Sequence, residues 1–228
     1  DVPLSVSVNL SSRQLIRRDL VSDVRSVIVR SQIKPHCFRL ELTESLIMDN
    51  PEQSAHVLTK LKQTLPEGIF VTVVADRGFG YMELFERLEQ ELGFAYLIRF
   101  KGNVLVGYPG VEQVPARDWL TPTGRTRTLK AVELTGQRQP VERVYCCHKS
   151  GMKDAWFLAS NRTDLSAAKA LQLYGQRWGI ETSFRDIKDY KFGMGMGDVH
   201  ISNPVRRDRL FLFSALAIVL LTLLGKAG

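Results

Sequence analysis

The chain has 228 residues, with 31 Lys and Arg against 24 Asp and Glu, a formal charge of +7, and 44% apolar and 24% charged residues. That composition excludes a disordered or collagen-like chain and leaves room for one large core or two small ones. Three cysteines, Cys37, Cys146 and Cys147, exclude a disulfide framework, because one sulfur is left over and sequence neighbours rarely bridge. A reducing, cytoplasmic setting is therefore expected, and the basic balance points to a polyanionic partner. Asp1-Val2-Pro3 has neither the basic start nor the apolar core of a signal peptide. With no initiator Met either, a piece of a longer reading frame is expected.

Leu4 to Leu10 alternates like a strand, and Ser11 or Ser12 can cap a helix over Gln14 to Val29, where apolar positions recur three and four apart. Pro35 breaks the chain, Phe38 to Thr43 is β-like, and Asn50-Pro51-Glu52 starts a helix in which Asn caps and Pro takes the first position. Ile69 to Ala75 is a near-continuous apolar run, typical of a strand buried on both faces, and it ends in Asp76. After the turn Arg77-Gly78-Phe79-Gly80, Met82 to Leu92 reads as an amphipathic helix closed by Gly93, and Phe94 to Phe100 as the next strand. Alternation of this kind predicts that the strands at Leu4, Phe38, Ile69 and Phe94 share one mostly parallel sheet flanked by helices.

From Gly107 to about Asn161 the chain is rich in Pro, Gly and Thr, with short alternating runs such as Leu129 to Leu134 and Glu142 to Cys147. That texture predicts an antiparallel β insertion. Helical periodicity returns at Ser166 and runs to about Tyr190, beyond which Gly193, Gly195 and Gly197 break it. Leu210 to Leu224 is an apolar helix of about 15 residues, about 22 Å against about 30 Å of hydrocarbon. It is expected in a soluble core and not in a membrane, with Arg206, Arg207 and Arg209 as its solvated entry.

The helix from Ser166 carries Tyr174, Arg177, Glu181 and Lys188, whose spacings of three, four and seven place them on one helix face. Solvated helix faces also carry charged stripes, so spacing alone leaves both readings open. The stretch Tyr174-Gly-Gln-Arg-Trp-Gly-Ile-Glu-Thr-Ser-Phe-Arg-Asp-Ile-Lys188 closely resembles the Y-R-E-K signature of insertion-sequence DDE transposases of the IS-four type. Val73-Val-Ala-Asp-Arg-Gly-Phe-Gly80 resembles the surroundings of that family's second catalytic Asp, and the resemblance covers about residues 65 to 228. It implies a ribonuclease-H-like core that cleaves and transfers DNA strands with Mg²⁺ or Mn²⁺, takes transposon ends as its partner, and allows a homodimer. By that resemblance Asp76 and Glu181 are catalytic, metal-binding carboxylates, while Tyr174, Arg177 and Lys188 bind DNA phosphates. Trp178 could stack on a base or fill the core, and core is preferred.

The family's first catalytic Asp has no match here, because a different pattern occupies the front of the chain. Val6-Ser-Val-Asn-Leu-Ser-Ser-Arg-Gln-Leu15 and Leu40-Glu-Leu-Thr-Glu-Ser-Leu-Ile-Met48 resemble the second and third βα units of EAL domains, the barrel phosphodiesterases of cyclic-di-GMP. That resemblance implies Asn9 and Glu44 as remnant metal ligands, although the E-A-L motif itself would lie before Asp1. Ala75 to Tyr81 also shares an Asp, two glycines and a Tyr with the next EAL turn, but the EAL lysine position is Ile98. The organisation expected is α/β and chimeric: residues 1–64 an EAL-like βαβα fragment, 65–106 and 162–228 an incomplete transposase core, and 107–161 its β insertion. Such a chain is expected to be catalytically impaired, the alternative being a remnant EAL protein linked to cyclic-di-GMP. Cys146-Cys147-His148 is no zinc site, since consecutive strand residues face opposite ways.

Overall fold

The structure, a computed structural model, describes residues 6–10, 19–31, 38–42, 56, 58, 59, 62, 63, 71–76, 85–177, 189, 195 and 200–227. The chain divides into two compact units, Asp1–Gly175 and Gln176–Gly228. The first unit opens with strand β1 (Val6–Leu10), helix α1 (Leu20–Ser31) and strand β2 (Phe38–Leu42). Residues Leu20 and Val24 of α1, one helical turn apart, are its buried positions. β1 and β2 pair in parallel, with Val6 opposite Phe38 and Asn9 opposite Glu41. A helix between two parallel strands is what the alternating runs predict.

These two strands form a sheet of their own, so the expectation that they share one with the strands at Ile69 and Phe94 is corrected. Alternation specifies which face of a strand is buried, and it says nothing about which strand lies across the ladder. Among the described residues the second sheet holds seven strands: β3 (Thr72–Ala75), β4 (Ala95–Phe100), β5 (Leu105–Gly107), β6 (Val114–Pro115), β7 (Arg127–Leu134), β8 (Gln139–Cys147) and β9 (Trp156–Ser160). Their order is β3-β4-β9-β8-β7-β5-β6. Within it the β3–β4 pair is parallel, and the other ladders are antiparallel. The sheet is therefore mixed, not mostly parallel. β9 hydrogen-bonds directly to β4, with Leu97 opposite Ser160. Trp-Phe-Leu-Ala-Ser suits that inner place, since a strand covered on both faces needs little polar surface.

Period-two alternation divides the core between the faces of this sheet. Tyr96, Ile98 and Phe100 of β4, Val144 and Cys146 of β8, and Phe157 and Ala159 of β9 fill one face together with Phe85, Leu88 and Leu92. Phe85 stacks on Tyr96 with ring centroids 4.8 Å apart. The opposite face carries Leu97, Tyr145 and Leu158, covered by helix α2 (Ala167–Gly175) through Ala170 and Tyr174. The Tyr145 hydroxyl donates to the Leu165 carbonyl at 2.8 Å, and so pins the loop that leads into α2. Beyond the end of β9, the Asn161 side chain takes over the ladder: its Oδ1 accepts from the Tyr96 amide at 2.9 Å and its Nδ2 donates to the Phe94 carbonyl at 3.1 Å. Burial pushes the Cys146 thiol up to about 12, which keeps it protonated and inert.

Part of the helix expected over Met82 to Leu92 is a π-helical turn, Arg87–Glu91, and Gly93 ends it at a φ of 58°. The left-handed conformation lets the Phe94 amide fold back onto the Leu88 carbonyl at 2.7 Å. In the second unit, helix α3 (Pro204–Ala227) is longer than the apolar run that announced it. Asn203 caps it, its Oδ1 accepting from the Arg206 amide at 3.2 Å, and Pro204 takes the first helical position. Arg206, Arg207 and Arg209 are exposed as expected. Phe211, Leu212, Phe213, Leu216, Leu220, Leu221 and Leu224 are exposed as well, against the expectation of a helix inside a core. Among the described residues, no helix is long and apolar enough to cross a membrane.

Candidate active site

The site is built at the C-terminal end of β3, the usual ligand side of an open α/β sheet. In the parallel β3–β4 ladder Ala75 stands opposite Ile98, so the next step of the register brings Asp76 beside Arg99. Alternation on β4 turns Tyr96, Ile98 and Phe100 to one face and leaves Arg99 with Leu97 on the other. That second face is the one α2 covers, and Tyr174 lies in the last turn of α2. The Tyr174 ring is fixed edge-on against Trp156, with centroids 4.8 Å apart and an interplanar angle of 74°.

Three elements thus converge on one carboxylate. The Tyr174 hydroxyl donates to Asp76 Oδ1 at 2.9 Å. Arg99 Nη1 stands 3.7 Å from the same oxygen, and Arg99 Nη2 donates to the Ala155 carbonyl at 3.2 Å. Tyr174 is 0% exposed and the Arg99 side chain 5%, whereas the Asp76 side chain is 26% exposed. One buried hydroxyl therefore bonds Oδ1 and one buried guanidinium faces it as an ion pair, while the carboxylate keeps an outlet to solvent.

A carboxylate oxygen at a sheet edge fits a hard divalent cation in kind. The number of ligands is a separate matter: among the described residues no group of three His, Cys, Asp or Glu could hold a metal ion. Asp76 and Tyr174, both singled out from sequence, are brought together by the fold, but with the phenol on the carboxylate. The unbroken helix expected from Ser166 to Tyr190 is corrected: α2 ends at Gly175 and Arg177 lies in the turn that follows. Glycine directly after Tyr174 is a poor helix residue and a good terminator. Glu181, Lys188 and Glu44 lie outside the described residues, and Asn9 sits on β1 opposite Glu41. Arg99 was not singled out from sequence, although a lone charge inside the apolar run Phe94 to Phe100 was the available signal.

Comparison with known proteins gives one family match and similarity to two curated proteins. Residues 49–220 match the family described as Transposase DDE domain. The chain is also 35% identical over 81 residues to the Signaling protein YkoW of Bacillus subtilis (strain 168), a stretch that is 36% of this chain and 10% of that protein. It is 33% identical over 82 residues to an uncharacterized protein of Azorhizobium caulinodans, covering 36% of this chain and 11% of the other. The chain thus spans about a tenth of the length of these curated relatives.

Proposed function

The chain belongs to the Transposase DDE domain family, and from that premise we propose that it carries an incomplete metal-dependent centre for DNA strand cleavage and transfer, of the IS-four type. The observation that carries this reading is Asp76, partly exposed at a strand end, with one oxygen bonded by the buried Tyr174 hydroxyl and faced by the buried Arg99 guanidinium. Asp76 and Glu181 are read as two of its carboxylates. Divalent ions bound there, Mg²⁺ or Mn²⁺, supply charge stabilisation for the attacking and leaving oxygens of an in-line displacement. The chain's own share is to orient the carboxylates and to hold the DNA phosphates. Arg177 and Lys188 suit the second task, since phosphates are held by charge-assisted hydrogen bonds. The expected partner is a transposon end, and the reading allows a homodimer. In this reading residues 65–106 and 162–228 form the core and 107–161 its β insertion.

Salt dependence tests the DNA half of this reading. Arg177→Ala and Lys188→Ala are each expected to weaken binding to duplex ends and to lower the slope of log affinity against log salt by up to about one unit for each phosphate no longer held. Fluorescence anisotropy across a salt series measures both quantities. If affinity and slope stay unchanged in both variants, neither side chain holds a phosphate.

A second reading concerns the first 64 residues alone. The parallel β1–β2 pair around α1 favours a fragment of EAL origin, with Asn9 and Glu44 as vestigial ligands. An insertion element landed in a signalling gene would leave such a chimera. Calorimetric titration with cyclic-di-GMP separates a binding remnant from an inert one.

A further inference from the structure

Strand register gathers one set of chain ends at the edge of the large sheet where β3 finishes. Phe100 of β4 lies opposite Phe157 of β9, Phe157 opposite Cys146 of β8, and Cys146 opposite Arg127 of β7. The exits of β4 and β8 and the entrances of β9 and β7 therefore come out on the same side as the end of β3, which runs parallel to β4. Those ends carry Lys101, Lys149, Lys153, Arg125 and Arg127, all exposed. Arg117, also exposed, joins them, because its amide donates to the Gly102 carbonyl at 3.0 Å. Two carboxylates accompany these six cations: Asp118, 3.9 Å from Arg117, and Asp154.

Pairing distinguishes this edge from the other ends of the same strands. Near the end of β7 Arg138 is paired with Glu133 at 2.9 Å, and beyond β9 Arg162 is paired with Asp164. Among the described residues, by contrast, Lys101, Arg125, Lys149 and Lys153 make no ion pair, and the Arg127 guanidinium rests over the Trp119 ring, 5.3 Å from its centroid. Like charges left together on one surface repel, and an anionic partner relieves that cost. From β3 to β7 the edge crosses four strand spacings, about 19 Å at about 4.8 Å each, which equals the rise of about six base pairs of duplex.

We propose that this basic edge is a track for the phosphate backbone of duplex DNA, running from the end of β3 across to β7. The inference rests on DNA as the partner and not on a metal centre, and it adds a second contact surface to the one read at Arg177 and Lys188. Cations on strand ends hold phosphates without reading bases, so the track takes duplex of any sequence.

The experiment is fluorescence anisotropy of a short duplex of arbitrary sequence with the full chain, in EDTA and across a salt series. Lys101→Gln, Lys149→Gln and Lys153→Gln made together remove three charges from the edge. They are expected to weaken binding about tenfold or more and to lower the slope of log affinity against log salt by about two to three units. Arg206→Gln, Arg207→Gln and Arg209→Gln made together remove the same charge from α3, and they are expected to change both quantities far less. An equal loss in this charge-matched variant, or no loss in the lysine variant, overturns the inference and leaves the contacts read at Arg177 and Lys188 standing. Binding of the unaltered chain to phosphatidylserine vesicles and not to duplex, lost in the lysine variant, would assign the edge to a membrane surface and overturn it too. If the unaltered chain binds no duplex at all, the DNA partner falls and the inference with it.

Discussion

Incubated with Mg²⁺ or Mn²⁺ and DNA carrying the cognate element end, the purified chain is expected to nick at a rate on the order of a thousandfold or more below that of a centre with its full set of carboxylates. The DDE resemblance implies three acidic ligands, and only Asp76 and Glu181 match. Two-metal catalysis depends on placing both ions to within a fraction of an ångström, so losing one ligand mispositions the chemistry even where an ion still binds. Glu44, which follows β2, is the best substitute by sequence. The strand that leads to it pairs with β1 and not with β3, which removes the ground for placing it beside Asp76. A gel assay of supercoiled or hairpin DNA with the chain and its Glu181→Ala variant decides the matter. Robust cleavage that disappears in Glu181→Ala would refute the impairment, and its loss in Glu44→Ala as well would identify the third ligand.

Leu97→Ala is expected to destabilise the first unit by about 3 to 4 kcal/mol and to lower its melting temperature by roughly 10 °C. Leu97 is 0% exposed, sits between Val74 on β3 and Ser160 on β9, and packs under α2 with Tyr145, Leu158 and Tyr174. Neighbours fixed by ladders on two sides cannot close over the missing methyl groups, so most of the cavity persists. The same substitution at Val111, 54% exposed on a loop, is expected to stay within about 0.5 kcal/mol. Urea unfolding followed by circular dichroism reads both values. Equal midpoints for the two variants would show that this face of the sheet is not the packed core described.

The strands themselves were largely legible. Phe38–Leu42, Thr72–Ala75, Ala95–Phe100, Arg127–Leu134 and Gln139–Cys147 all fall on runs whose period or apolar density marks them locally. Their grouping was not. Nothing near Trp156–Ser160 says that it lies between β4 and β8, and nothing near Val6–Leu10 says that it stays out of the larger sheet. At the site, Asp76 was legible as the polar residue that closes an apolar strand, and Tyr174 as part of a spaced pattern. Arg99 stands out in sequence only as a lone charge in an apolar run, and its place beside Asp76 depends on the register of two strands. The stop at Gly175 was readable from composition, but a periodic pattern continuing past it outweighed one glycine.

The sheet order carries a kinetic consequence. β7 and β8 meet across a tight turn, where Leu134 faces Gln139, about five residues on, and closing so short a loop costs about 1.4 kcal/mol of chain entropy. The hydroxyl of Tyr174 and the carboxylate of Asp76 are 98 residues apart, a closure of about 4 kcal/mol on the same scale. β3 with β4 and β7 with β8 can each zip early, and the seam where β4 docks on β9 must come after both. Asp76 and Arg99 lie on one side of that seam and Tyr174 on the other, so the carboxylate meets its phenol only in the late docking step. In pulse-labelled hydrogen exchange, amides of Val132 and Val144 should become protected before that of Ile98, and the reverse sequence would place nucleation on the β4 side instead.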